Sequence, residues 1–545
     1  MELKIQSLWP EIALFITTCA VMVVGLSPKR AVRNLCAWIS AIGLIVAGYL
    51  AMDSVTGNDA NLVRKIYAIP MPFMAVYGKL IVAFVGLMLV CLVAGTADRE
   101  LEASIDRGGK FDPLRATRAE FWAFFLFSLA GLMLCCGADD LIFLFLALEL
   151  TSLPTYVMVA LSTNRNKSME SGVKYFFLGA LGAAIFLYGF TMIYGGTGTT
   201  KLLEIQHILA VQGASGDGQG SGINEIAMLG IVLSVIGVCF KIAAVPMHFY
   251  TPDVYQGASA SIAGFLAFVP KAAGFFAILL LTSTVGWHYG ETGHSLPTLL
   301  HHVLWIVAVL TMTIGNVLAV LQSSVKRILA YSSIAHSGYM LVGIIAGPGP
   351  APTNANDVET FARSGLAAVL FYLVAYGIMS VGAFAVLSGL ERRNSRGEIE
   401  EPDHIDDLRG LCKTVPALGW TMVICAAGLL GLPPLLGFFG KLPLFTAGIR
   451  AGEIPLVLIM GINSAIAAYY YLRLMYVPYI DAPDVVPNRA PLVESPFKSR
   501  RIACAMSCVG IVFLSVFGGQ LAEMAASAAK LTPEAAAPLR GALPT

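Results

Sequence analysis

The chain has 545 residues, with 35 basic and 34 acidic side chains, and is almost electrically neutral. Hydrophobic residues make up 57% and charged residues only 13%, and mean hydropathy is +0.75. This excludes an ordinary soluble globule and a nucleic-acid binder with a basic face. The apolar residues fall in runs of about 20, enough to cross a ~30 Å hydrocarbon core as a helix. The expected fold is an all-α polytopic membrane protein with about fourteen transmembrane helices.

In chain order the predicted spans are 8–25, 32–51, 76–97, 119–137, 141–161, 170–195, 225–246, 257–285, 299–321, 326–346, 365–389, 415–440, 454–478 and 501–520. The first has Glu2, Lys4 and Glu11 near it and no small-residue cleavage site, so it reads as a retained span and not a secretory signal. Span 257–285 is long and carries Pro270, where a tilt or a break is expected. Residues 197–224 are Gly/Ser-rich and read as a flexible external loop. Residues 391–413 mix both signs densely and read as a solvated cytoplasmic loop, with contact to a neighbouring subunit as the alternative. The Ala/Pro-rich tail from Thr532 reads as frayed.

Basic residues gather in alternate loops. One set holds Lys29, Arg30, Arg33, Arg99, Arg107, Lys110, Arg115, Arg118, Arg165, Lys167, Lys326, Arg327 and the later group Arg392, Arg393, Arg396, Arg409, Lys413, Arg489, Lys498, Arg500 and Arg501. That is about 21 of 35 basic residues, against about nine in the opposite loops and termini. The positive-inside rule then puts both termini on the outer side, which requires an even number of spans.

Five charges sit inside these runs: Glu149, Lys174, Lys241, Lys271 and Lys441. A charge at mid-membrane costs roughly 2.5–3.5 kcal/mol, so five cost on the order of 12–17 kcal/mol unless something compensates. Such residues mark a route for protons or ions; the plainer reading is a set of static ion pairs holding helices together. Lys174 follows a loop containing Arg165 and Lys167 and is near enough to the edge to snorkel.

Pro246 removes a backbone N–H close to Lys241, Pro270 precedes Lys271, and Gly431, Pro433, Pro434, Gly437 and Gly440 precede Lys441. Broken helices in membranes are tolerated where they line a wet cavity or are shielded by protein, and transporters use them at ion sites. Two broken spans, each with a lysine, suggest two inverted five-helix repeats. The chain then divides into an N-terminal three-helix segment (1–118), a first repeat (119–285), a second repeat (299–478) and a last helix with its tail (501–545). His248 and His336 complete the polar set as proton relays, or else as hydrogen-bonded packing residues.

The ten cysteines lie mostly in apolar spans and form no CxxC set. They read as small packing residues and not as ligands of a metal or iron–sulfur cluster. No glycine loop ending in GK[ST] is present, so nucleotide binding is not expected.

FKIAAVPMHFYTPDVYQGASASIAGFLAFVPKAAGF, ALELTSLPTYVMVAL, ESGVKYFFLGALGAAIFLYG, VKRILAYSSIAHSGYMLVG and GLPPLLGFFGKL together resemble the antiporter-like subunits of respiratory complex I, over roughly 8–520. Among the L, M and N types the chain is most similar to N, the counterpart of mitochondrial subunit 2. Lys441 stands where M-type subunits carry glutamate, and Lys271 where L-type subunits tend to have histidine. No long lateral helix follows the last span, as it does in L-type subunits.

The resemblance implies a proton-pumping subunit of NADH-quinone oxidoreductase in a bacterial inner membrane. It implies no cofactor in this chain, with FMN, iron–sulfur clusters and a quinone elsewhere in the complex and other membrane subunits as partners. Glu149 and Lys241 would form a coupled pair in one half-channel, Lys271 the central residue, His336 a relay, and Lys441 the terminal lysine of the second half-channel. A cation/proton antiporter subunit, a membrane-bound hydrogenase subunit and a purely structural anchor remain the alternative readings.

Overall fold

The computed structural model describes residues 2–53, 60–106, 108, 112, 116–163, 166–215, 219–290, 294–349, 361–393, 399–480 and 492–532. Arg107, Lys110, Arg115, Arg165, Arg396 and Arg489, used above for orientation, lie outside them, as does the tail beyond Thr532. Among the described residues eleven helices are long and apolar enough to cross a membrane. Three shorter apolar helices, Trp9–Gly25, Glu225–Cys239 and Pro416–Leu430, accompany them.

Helices Ala260–Val285, Val325–Ala346 and Gly365–Ser388 are buried along their whole apolar windows and form the centre of the bundle. They are hydrophobic all round, as a helix surrounded by other helices has to be. Asn166–Thr197 and Ile454–Tyr479 are buried over only a third of theirs, and turn Phe177, Tyr188 and Tyr469 outward.

Small residues set the closest approaches. A Cβ on Gly189 would stand 2.5 Å from the Ser234 backbone nitrogen, and one on Gly237 would stand 2.5 Å from that of Phe186. Helices Asn166–Thr197 and Glu225–Cys239 therefore meet backbone to backbone, as membrane helices do through small residues.

Four expectations are corrected. Residues 197–224 are not a loop throughout: Leu202–Ala214 is helical, because Leu202, Ile205 and Leu209 recur at helical spacing and are buried. Pro270 does not break its span, since Ala260–Val285 is one helix. Every residue of that helix is buried, and packing on all sides keeps it continuous past the one missing backbone bond. The fold is not purely helical: Leu390–Arg393 pairs antiparallel with Ile399–Glu400 on one side and Val493–Glu494 on the other. After Lys498–Phe517 a further helix, Gly519–Ala528, extends past the last predicted span.

Within the acidic part of 391–413, Glu401 and Asp403 pack against the bundle, while Asp406 stays half exposed. Glu401 accepts from the Ala260 amide at 2.7 Å and from Lys326 Nζ at 2.8 Å, and Lys326 also donates to the Ala258 carbonyl at 2.9 Å. Asp403 accepts from Gln256 Nε2 at 2.9 Å and from the Ser324 hydroxyl. The Val325 amide donates to the Asp403 carbonyl at 2.6 Å. This strap ties the start of the Lys271 helix to the start of the His336 helix, with Glu401 at a helix N-terminus that favours negative charge.

Burial opposes ionisation of Glu401, but the Lys326 ammonium and the Ala260 N–H outweigh it and hold the carboxyl below its ordinary range. A depressed folded-state value means that the strap's contribution is present at neutral pH and is lost as pH falls through and below the carboxylate range. Glu401→Gln is expected to cost roughly 1–3 kcal/mol of local stability at neutral pH. Faster deuterium exchange over 256–264 is the measurement, and the wild type should reach the same rates only in acid.

Candidate functional site

The helix that leads to Lys241 stops at Cys239, and the chain resumes a helical path at Tyr250, so the lysine stands in the break between them. Backbone groups released between them find side-chain partners. Tyr250 Oη donates to the Phe240 carbonyl at 2.8 Å, Ser337 Oγ donates to the Ile242 carbonyl at 2.6 Å, and the Val245 amide donates to Thr311 Oγ1 at 3.0 Å. Irregular backbone at membrane depth requires this kind of satisfaction. Ala243 takes a φ of 55°, which costs a residue with a side chain about 1–2 kcal/mol.

Lys241 projects from this break into a polar pocket. Its Nζ donates to Glu149 Oε1 at 3.1 Å and to Ser152 Oγ at 2.5 Å, with the side chain 1% exposed. Glu149 and Ser152 lie three residues apart on helix Leu141–Ala160, hence on one face. The Phe186 ring covers the ammonium at 5.6 Å.

Lys271 borders the same space. Its ammonium donates to the Ser333 backbone carbonyl and to Ser333 Oγ, the latter at 2.5 Å, and lies 4.7 Å from the centre of the Tyr376 ring. Lys241 and Lys271 line one small cavity of about 10 Å³ with Tyr250, Thr251 and Tyr255. That is about the least volume that holds a water molecule.

His336 continues the row. Its Nδ1 is 2.6 Å from Tyr372 Oη and its Nε2 is 2.7 Å from Tyr471 Oη, and Tyr471 also bonds the Ser332 hydroxyl. Beyond it Tyr339 Oη accepts from Asn316 Nδ2 at 2.9 Å, and the Tyr339 ring faces the Lys441 ammonium at 5.2 Å.

Lys441 sits at a second break, between helices Pro416–Leu430 and Leu436–Arg450. It reaches back to the carbonyls of Leu429 and Leu430, at 3.0 and 2.8 Å. An ammonium here satisfies the orphan carbonyls of a helix C-terminus and meets the negative end of its dipole.

Two residues of the predicted set stand apart. Lys174 has a side chain 46% exposed, pairs with Glu170 at 2.7 Å and lies 3.6 Å from Asp253. His248 is buried at the first break, but its Nδ1 has no hydrogen-bond partner among the described residues. Neither joins the row.

Sequence reasoning passed over Ser152, Tyr372, Tyr376, Tyr471 and Asn316. Hydroxyls and amides within apolar spans were the available signal, but they are too common to single out without coordinates. It also passed over Lys79, which is buried and pairs with Glu11 at 2.8 Å. The rule that found the other lysines applies equally to this one.

Gly431 ends the first half of the second break at a φ of 87°, and a Cβ there would come 3.1 Å from Lys441 Cδ. Gly431→Ala is expected to cost about 1–2 kcal/mol from the backbone alone. It should also displace the lysine from the two carbonyls, read as a lower unfolding temperature together with faster amine labelling of Lys441.

Comparison with known proteins follows this geometry. A family profile described as NADH:quinone oxidoreductase/Mrp antiporter, TM, matches residues 138–467. The NADH-quinone oxidoreductase subunit N of Trichlorobacter lovleyi is 34% identical over 481 residues, covering 88% of each chain. A chain of respiratory complex I from Thermus thermophilus superposes with a TM-score of 0.68 at 28% identity, over 94% of this chain and 98% of that one. A chain of the Mrp complex from Dietzia gives a TM-score of 0.70 at 17% identity over 96% and 97%, a likeness of fold.

Proposed function

The chain belongs to the subunit N family of NADH-quinone oxidoreductase, and from this premise we propose that it carries protons across the membrane while quinone is reduced elsewhere in the complex. The observation that carries the reading is the buried Lys241–Glu149 pair, 3.1 Å apart at a helix break and sharing a cavity wall with Lys271.

Two unit charges about 4 Å apart interact by roughly 4 kcal/mol at an effective dielectric of 20. One pKa unit corresponds to about 1.36 kcal/mol. A small movement of Glu149, or its neutralisation, therefore changes the proton affinity of Lys241 by orders of magnitude. Lys271, the His336–tyrosine group and Lys441 give a proton successive stations across the bundle, with water bridging the gaps.

In this reading the three shorter apolar helices also cross, giving fourteen spans, with both termini on the outer side of a bacterial inner membrane. Residues 1–118 form the N-terminal segment, 119–285 and 299–478 are inverted repeats with one discontinuous helix each, and 501–545 close the chain. FMN, iron–sulfur clusters and the quinone belong to other parts of the complex, and neighbouring membrane subunits flank this one. His248 and Lys174 act at the margins, the first at the break and the second as a surface pair partner.

The test measures proton uptake per NADH oxidised in vesicles holding the whole complex. Lys241→Ala and Glu149→Ala should each lower that ratio while leaving the complex assembled; wild-type ratios in both would remove the proposal. Lys441→Met separates pumping from a static anchor, which would leave the ratio intact. Copurification with flavin, iron–sulfur partners and NADH-dependent quinone reduction separates this function from a cation/proton exchanger, which should bring only membrane subunits and show salt-driven exchange.

A further inference from the structure

At one end of the bundle, away from the lysine row, four arginines line a cavity of about 480 Å³: Arg30, Arg33, Arg99 and Arg118. Among the described residues Glu102 and Glu391 line it with them, and Asp98 lies 3.9 Å from Arg118. Three of the guanidiniums share Glu102: Arg33 at 2.6 Å, Arg118 at 3.3 Å and Arg30 at 3.3 Å. Arg33 and Arg118 are buried, whereas the Arg30 side chain is 51% exposed at the mouth. Arg99 pairs with Glu391.

Helix ends add to this field. Arg118 and Lys498 each begin a membrane-length helix beside the cavity. Asp98 caps the first of these helices through the Thr117 and Arg118 amides. The second has no side-chain cap, and Ser499 Oγ, in its first turn and on the cavity wall, has no hydrogen-bond partner among the described residues. An uncapped helix N-terminus beside arginines favours an anion with several acceptor oxygens.

Another side of the wall is apolar, with Trp38, Ala41, Val90 and Ile502. Trp38 is 71% exposed, so this wall opens sideways from the bundle. A free inorganic anion needs only the arginine end. A cavity with a cationic end at the helix termini and an apolar side running along the helices matches a molecule with an anionic head and a hydrocarbon tail.

We propose that this cavity binds the phosphate of an anionic phospholipid, with an acyl chain lying along Trp38, Ala41 and Ile502. Arginine-rich pockets between membrane helices bind such head groups, each arginine near the surface contributing roughly a five-fold preference.

The test is native mass spectrometry of the whole delipidated complex, mixed with phosphatidylglycerol or phosphatidylcholine. The wild type should retain phosphatidylglycerol on this subunit in preference to phosphatidylcholine. Arg30→Gln should weaken retention roughly five-fold, and Arg30→Gln with Arg99→Gln roughly 25-fold, at about five-fold per arginine. Arg30→Lys should keep most of it. Arg30 is half-exposed, so the single variant carries the test if the double one fails to assemble, and its unchanged quinone reduction reports assembly. Inorganic phosphate should leave the lipid bound. Equal retention of the two lipids, retention unaffected by Arg30→Gln, or displacement by inorganic phosphate would overturn the proposal, the last marking a site for free anions.

Discussion

An ammonium group removed from water has to be surrounded by acceptors, and the arrangement of this bundle follows from that need. Three lysines of the central row meet it in three ways. Lys241 takes a carboxylate and a hydroxyl, Lys271 a serine's hydroxyl and backbone carbonyl, and Lys441 two carbonyls at a helix end. None of these sets is available on an unbroken, wholly apolar helix. The breaks, the Ser333 turn of the central helix and the Glu149 face of its neighbour are thus conditions for keeping the charges at all.

The same accounting explains why the breaks are stable. Interrupting a helix at membrane depth releases N–H and C=O groups that lipid cannot satisfy. Around Lys241 the partners come from Tyr250, Thr311 and Ser337, on three separate segments. At the second break the lysine itself serves the released carbonyls. One side chain is therefore both the buried charge and the cap of the helix that precedes it.

Much of this was legible in the sequence because apolar runs are long and charges within them are rare. Glu149, Lys241, Lys271 and Lys441 stood out for that reason, and the Pro and Gly clusters located both breaks. Pro270 misled because a proline's cost depends on what surrounds it, and the helix there is packed on every side. The helix at Leu202–Ala214 was hidden by the Gly/Ser-rich stretch that follows it. The tyrosines around His336 are unremarkable in a chain with 19 of them, and only the packing of distant helices brings Tyr372 and Tyr471 to the two ring nitrogens. The paired acids Glu401 and Asp403 of the 399–408 strap read as solvent-facing because their partners, Lys326 and the ends of two helices, are remote in sequence.

The different partners of Lys241 and Lys441 carry a consequence for how each responds to its surroundings. Lys241 is held by a carboxylate side chain, whose position depends on a rotamer. Lys441 is held by backbone carbonyls, whose positions depend on where the Pro416–Leu430 helix ends against Leu436–Arg450. One end of the row is therefore set by a side chain and the other by the backbone itself.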